Sequence, residues 1–346
     1  MKNYINSLLC LILVLFNLTL RGTDLNTYGF DMGLSHRNVL HINQDQSGFL
    51  WLGTINGLNR FDGYTFRKFS LEDGANTYDS HAVYEINFDD SNNLILSLTN
   101  RLIKMHPSGE ILKVVDFGKA DFQRGSERQI RNLIRTEHGW WGVLKDASDF
   151  SFSLVELNED LEITFEWDLG LVNDVELIEK QNEHLSFYQN HRDLKSFNTA
   201  DYSISYSIET PVYTSFCYAG APVFIDNIGL RDLGGNILEP ISAELLFKLD
   251  HADELHVVSQ EGKRLIFCTD RELFALDLLD GSVEDLSDKI NDNIGHEVIF
   301  HDLFIDNTDL LWVSSNFGAI SIHFDSQDFE ILMSGGDILC SSDYCS

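Results

Sequence analysis

The stretch QDQSGFLWLGTINGLNRFDGYTFRKF, residues 44–69, decides the fold. An acidic turn at Asp45 leads into an apolar run carrying Trp51, then the small pair Gly53-Thr54. A second apolar run, the turn Asp62-Gly63 and a third run follow. A close echo stands near the other end, IDNTDLLWVSSNFGAISIHFDSQDFEIL, residues 305–332, with Asp306, Trp312 and Ser314-Ser315 in the matching places. Two copies of one unit so far apart point to a repeat architecture.

Five fainter copies fill the interval, from Asp90, Thr136, Lys180, Tyr218 and Gln260. Anchors at 45, 90, 136, 180, 218, 260 and 306 are therefore spaced by 38 to 46 residues. Each anchor is preceded by its own strand-like run, such as Val39–Ile42, Ala82–Ile86 and Leu303–Ile305. Turns such as Pro107-Ser108-Gly109, Gly234-Gly235 and Asp280-Gly281 supply the positive φ that tight hairpins need. Four short antiparallel strands every ~40–50 residues is the pattern of a β-propeller. The expected fold is all-β: seven four-stranded blades in one domain over residues 24–332. Copies four and five, which lack the Trp and the Gly-Thr pair, leave a six- or eight-bladed count open. No amphipathic helical stretch longer than a turn competes with the strands.

The chain has 346 residues, 43% of them hydrophobic and 12% aromatic, enough for a large core. Its 55 Asp and Glu against 24 Lys and Arg give a formal charge of −31. Nucleic acid is excluded as a partner, because phosphate binding needs a basic stripe and none exists. The same charge disfavours docking on anionic lipid.

Residues 1–22 read as an export signal: Lys2, an apolar stretch from Tyr4 to Leu20, then polar Arg21 to Asp24. A cleaved signal is favoured over an uncleaved anchor, since spanning takes about 20 apolar residues. The expected location is periplasmic, or membrane-anchored if the segment is retained. Residues 333–346 form a tail, placed where a further blade would begin. Cys217, Cys268, Cys340 and Cys345 form no metal-type CxxC pair. Cys217 and Cys268 fall in strands and read as buried thiols, with their pairing left open.

The motif residues read as structural. Trp51 and Trp312 lie mid-strand and suit packing between blades rather than sugar stacking. Gly53 allows adjacent blades to approach, and Thr54 is expected to bond a neighbouring backbone group. Asp45, Asp62 and Asp306 cap turns through bonds to backbone amides, with Gly48, Gly57 and Gly63 completing the motif. Acid pairs such as Asp89-Asp90 and Glu72-Asp73 are adjacent, so in a strand they point apart and cannot converge on a glycosidic bond. By the same parity His36 and His41, and His296 and His301, diverge. No HExxH, Ser-His-Asp context or glycine-rich phosphate loop occurs, so no catalytic residue, metal or cofactor is expected. A ligand would sit at one end of the ring among the loops, with Ser70–His81 and the turn Ile55-Asn56-Gly57 as candidates.

The run GLSHRNVLHINQDQSGFLWLGTINGLNRFDGYTF, residues 33–66, resembles the opening blade of the two-component regulator propellers. These occur in the sensor regions of hybrid histidine kinases of Gram-negative, glycan-degrading bacteria. Residues 306–324 match moderately and the rest only in period. The resemblance implies a non-catalytic extracytoplasmic sensor for an oligosaccharide or related ligand, with a homodimer or further sensor domains as partners. Such relatives carry two propellers, a β-sandwich, a membrane helix, a kinase and a response regulator. This chain has one propeller's worth of blades and no kinase motifs, which suggests a sensor fragment. Alternatives are a stand-alone secreted propeller for glycan or protein binding, and a propeller glycosidase or lyase.

Overall fold

The computed structural model describes residues 24–324, apart from 30–31, 72–80, 118–127, 148, 173–174, 182–183, 190–192, 209–211, 219–220, 233, 251–254 and 261–263. The segments read as an export signal and as a tail lie outside the described residues.

Hairpin by hairpin, the chain lays down seven four-stranded antiparallel sheets in a ring. The first strand, β1 (Asp24–Tyr28), belongs to the last sheet. Blade 1 is β2 (Val39–Gln44), β3 (Leu50–Thr54), β4 (Gly57–Phe61) and β5 (Phe66–Phe69). Blade 2 is β6 (Glu85–Phe88), β7 (Leu94–Leu98), β8 (Arg101–Met105) and β9 (Ile111–Asp116). Blade 3 has longer strands: β10 (Arg128–Thr136), β11 (Gly139–Asp146), β12 (Ser151–Leu157) and β13 (Ile163–Leu171). Blade 4 is β14 (Val175–Gln181), β15 (His184–Gln189), β16 (Asp193–Asn198) and β17 (Ser203–Ile208). Blade 5 is β18 (Val212–Tyr218), β19 (Ala221–Asp226), β20 (Gly229–Asp232) and β21 (Ile237–Pro240). Blade 6 is β22 (His256–Gln260), β23 (Arg264–Cys268), β24 (Leu273–Asp277) and β25 (Val283–Asp285). Blade 7 joins β26 (Phe300–Ile305), β27 (Leu311–Ser315) and β28 (Gly318–His323) to β1. Residues 27–320 form one compact unit that holds blades 1 to 6 entire.

The expected seven blades of four strands are present, including the two faint copies. Two details differ. The second anchor is Asp89 rather than 90, since Asp89 makes the turn bonds that Asp45 makes in blade 1. Among the described residues there are also two eight-residue helices, α1 (Ala243–Asp250) between blades 5 and 6 and α2 (Ser287–Ile294) between blades 6 and 7. Helix α1 buries Leu245 and Leu249, one turn apart, and α2 buries Ile290. A stripe of one or two residues is too short to stand out against strand alternation in the sequence.

The core lies between the blades. Trp51 is fully buried among Val83, Ile86, Leu94 and Leu96 of blade 2, and its burial is worth on the order of 3 kcal/mol. Trp312 packs likewise against Val39, Leu50 and Phe61 of blade 1. Two blades approach closely at Gly53: a Cβ there would stand 2.5 Å from the Val83 carbonyl oxygen. Cys268 is a free, buried thiol donating to the Thr269 carbonyl at 3.1 Å.

In blades 1, 2 and 7 the turn between first and second strands has one construction. Asp45 accepts from the amides of Ser47 and Phe49 with Oδ1, and from the Trp51 indole Nε1 at 2.8 Å with Oδ2. Asp306 repeats this with Thr308, Leu310 and Trp312, again 2.8 Å to the indole. In blade 2 the second oxygen of Asp89 takes Asn93 Nδ2 and Lys104 Nζ, the latter at 2.7 Å. The fourth turn residue is left-handed in each case: Gly48 (φ 86°), Asn92 (φ 62°) and Asp309 (φ 69°). Neighbouring turns are tied together, Asn307 N to Gln44 Oε1 at 2.8 Å and Gln46 N to Asn92 Oδ1 at 3.1 Å. Blades 7, 1 and 2 are thus latched to one another at this end of the ring.

Candidate functional site

The other end carries the strand starts. Each innermost strand starts there, beside the connections arriving from the preceding blade and the turns between second and third strands. At these starts lies a cavity of about 450 Å³, and all seven blades contribute to its wall. Blade 1 gives Leu40 and His41, blade 2 Tyr84 and Glu85, blade 4 Val175. Blade 3 gives the most, including Arg131, Asn132, Lys145 and Phe152. Blades 5, 6 and 7 complete it with Tyr213-Thr214, Leu255-His256 and His301-Asp302.

Several of these are consecutive pairs, which a regular strand would send to opposite faces. The ladder is irregular at these points: between Val39 and His41, Arg131 and Ile134, Val212 and Thr214, and Phe300 and Asp302. An extra residue in one strand re-aims the side chains around it, so Leu40, Asn132, Tyr213 and His301 reach the wall beside their neighbours.

The bulge in blade 3 is held by blade 2. Glu85 accepts from the amides of Asn132 at 2.6 Å and Leu133 at 2.9 Å, and from Asn87 Nδ2 at 2.7 Å. Asn132 takes a left-handed conformation (φ 51°) to present those amides. The Glu85 carboxylate is therefore committed to the scaffold and is not a free base.

On the opposite wall Asp302 sits between two imidazoles, His41 Nε2 at 3.6 Å and His256 Nδ1 at 3.9 Å. The Asp302 side chain is 18% exposed. Burial pushes its carboxyl up to about 6, although His256 and the amides of Leu303 and Ile42 pull the other way. Burial also lowers His41, against a smaller upward pull from Glu85, so that imidazole is neutral at physiological pH. The His41–Asp302 contact is thus a dipole beside a carboxylate rather than an ion pair. Asp302 in turn helps burial hold the Cys268 thiol protonated.

The side facing blades 2 and 3 is basic and aromatic. The Arg131 guanidinium lies over the Tyr84 ring at 5.2 Å, and Lys145 Nζ over Phe152 at 5.6 Å.

None of the motif residues Asp45, Gly48, Trp51, Gly53, Thr54, Gly57, Asp62, Gly63, Asp306 and Trp312 lines the cavity. They stand in turns and between blades. Asp62 accepts from the amides of Tyr64 and Thr65 in an exposed turn. Thr54 bonds within its own turn, donating to the Gly57 carbonyl at 2.9 Å and accepting from Asn56 N at 3.1 Å. Asp89 and Asp90 go separate ways, the first to Lys104 and the second to Arg135 at 2.7 Å. His36 and His296 are absent from the wall that holds His41 and His301. The cavity lies at the end of the two loops expected to carry a ligand, but strand starts line it rather than the turn at residues 55–57. Residues 72–80 of the other loop lie outside the described residues. Sequence reading missed the wall because His41, His256 and Asp302 come from three blades up to 261 positions apart, and only ring closure brings them together.

Among the described residues no helix is long and apolar enough to cross a membrane, and no group of His, Cys, Asp or Glu is arranged to hold a metal. Residues 33–56 match the family model described as two component regulator propeller. Over 35 residues the chain is 57% identical to histidine kinase P4 of Formosa agariphila, a match covering 10% of this chain and 3% of that kinase. Among solved structures, the extracellular domain of the hybrid two-component system BT4673 of B. thetaiotaomicron superposes with a TM-score of 0.60 at 14% identity. That alignment covers 87% of this chain and 39% of the other. The corresponding domain of BT3049 gives 0.55 at 17% identity, covering 86% and 41%. A streptogramin B lyase gives 0.58 at 11% identity, covering 87% and 97%. At these identities the superpositions speak for the fold alone. The chain is a seven-bladed propeller whose residues 33–56 match the two-component regulator propeller model and whose fold is similar to that of the extracellular domains of hybrid two-component systems.

Proposed function

We propose that this chain is a non-catalytic, extracytoplasmic sensing module of a hybrid two-component system, and that it reads an oligosaccharide or related ligand in its axial cavity. The observation that carries this reading is the wall itself. One small ligand would touch the first strand of every blade, so binding would bear on the packing of the whole ring. The wall mixes aromatic faces, two cations, imidazoles and two carboxylates, Glu85 bound to the scaffold and Asp302 beside the imidazoles, a combination suited to a hydroxyl-rich ligand with a few fixed polar contacts. The committed Glu85 argues against a pair of free carboxylates for hydrolysis. The export reading of residues 1–22 supports a periplasmic location. Calorimetric titration with a panel of glycan fragments, from monosaccharides to tetrasaccharides, tests the proposal. Saturable heat that disappears in Tyr213→Ala is the expected result. Silence across the panel, or binding indifferent to Tyr213, overturns it.

A further inference from the structure

We propose that the axial cavity takes an acidic sugar of one or two rings, whose carboxylate docks on Arg131 and Lys145 of blade 3. This rests on the cavity being the ligand site and names the chemical class it selects.

Gln129, Arg131 and Lys145 share one face of the hairpin formed by β10 and β11: Gln129 stands directly opposite Lys145, and Arg131 is two residues along. All three present donors. Arg131 Nε donates to Gln129 Oε1 at 2.6 Å, which fixes the guanidinium and uses the one acceptor in the group. Gln129 Nε2 is then buried without a hydrogen-bond partner. Among the described residues no carboxylate lies within 4 Å of Arg131 or Lys145. In a chain with 55 acidic residues that is informative for the half-buried Lys145, because several other half-buried cations found carboxylates, whereas Arg131 is exposed and is held by Gln129. Lys104 has Asp89 at 2.7 Å, Arg135 has Asp90 at 2.7 Å, and Arg231 has Asp226 at 2.6 Å.

Two unpaired cations at one wall of a cavity call for an anion, and a planar guanidinium beside an ammonium suits a carboxylate. Tyr84 and Phe152 carry the cations over their rings and add aromatic surface to the same wall. Across the cavity, His41, His256 and Asp302 can accept from or donate to hydroxyls. At about 450 Å³ the space exceeds what an inorganic ion fills and suits a small organic ligand.

The test is calorimetry of the intact protein with glucuronate and galacturonate against glucose and galactose, which differ from them only at C6, and with inorganic phosphate. The uronates should bind saturably, at least ~10-fold tighter than their neutral parents, and more weakly as salt rises. Arg131→Gln and Lys145→Gln should each weaken uronate binding at least ~10-fold while the melting temperature stays unchanged. If neutral sugars bind as tightly and both variants are silent, but Tyr213→Ala abolishes binding, the anion assignment fails and the cavity keeps its role. Phosphate binding as tightly as the uronates reduces the site to a bare anion site and overturns the sugar. Heat from none of the probes overturns the assignment outright.

Discussion

Asp45 shows how one side chain can hold a blade. Its carboxylate closes the turn with one oxygen and takes the buried Trp51 indole with the other. Asp45→Ala would leave that N–H without an acceptor inside the core, and should cost ~2–3 kcal/mol in denaturant unfolding. Asp62→Ala, in an exposed turn with no such partner, should cost clearly less. Equal losses would show that the indole bond contributes nothing beyond the turn. Asp302 acts in the opposite sense. The native state keeps its proton to about pH 6, while an unfolded chain releases it near 3.8. Over that window the native state binds more protons, so stability falls as pH rises, by up to ~3 kcal/mol. Asp302→Asn should therefore gain stability relative to the parent at pH 8 and show little difference at pH 4. A variant equally or less stable at pH 8 would contradict the assignment.

At the level of elements, the repeat was legible where it was locally encoded. The Asp-turn-Trp unit needs only residues within one hairpin, so the blades at 44–69 and 305–332 can be read directly, and the faint copies follow from their period. Thr54 illustrates the limit: its hydroxyl bonds the Gly57 carbonyl within the turn and also meets Ser35 Oγ at 3.0 Å, a partner 19 positions away that spacing does not announce. The bulges were not legible either, since an extra residue in a strand changes which faces are presented without changing composition. Contact between blades gives a sharper test. The second strand of blade 1 brings Gly53 against the Val83 carbonyl oxygen. In blade 2 the same position is Ser97, which donates to the Ile130 carbonyl of the following blade. Gly53→Ala should force these blades apart and cost ~1–3 kcal/mol, seen as a lowered denaturant midpoint. A neutral effect would mean that the two blades move past one another freely.

Across the whole molecule, turn-to-turn bonds tie blades 7, 1 and 2 at one end of the ring, and at the other the seven inner strands surround one cavity near their starts. The last sheet takes β1 as its outer strand, so deleting residues 1–28 leaves β28 as an unpaired edge. The shortened chain should melt earlier and scatter more light at equal concentration; unchanged melting and monodispersity would contradict a closing role for β1. The cavity wall could not be read from the chain because its members are joined by closure rather than by spacing. The claim that this wall is the sensing site is most directly tested by a crystal structure of the protein with whichever glycan fragment gives saturable heat. Density in the axial cavity, touching the blade 3 cations on one side and Asp302 on the other, is predicted. Density at the latched end or on the outer strands would contradict it, as would a panel that yields no binding fragment.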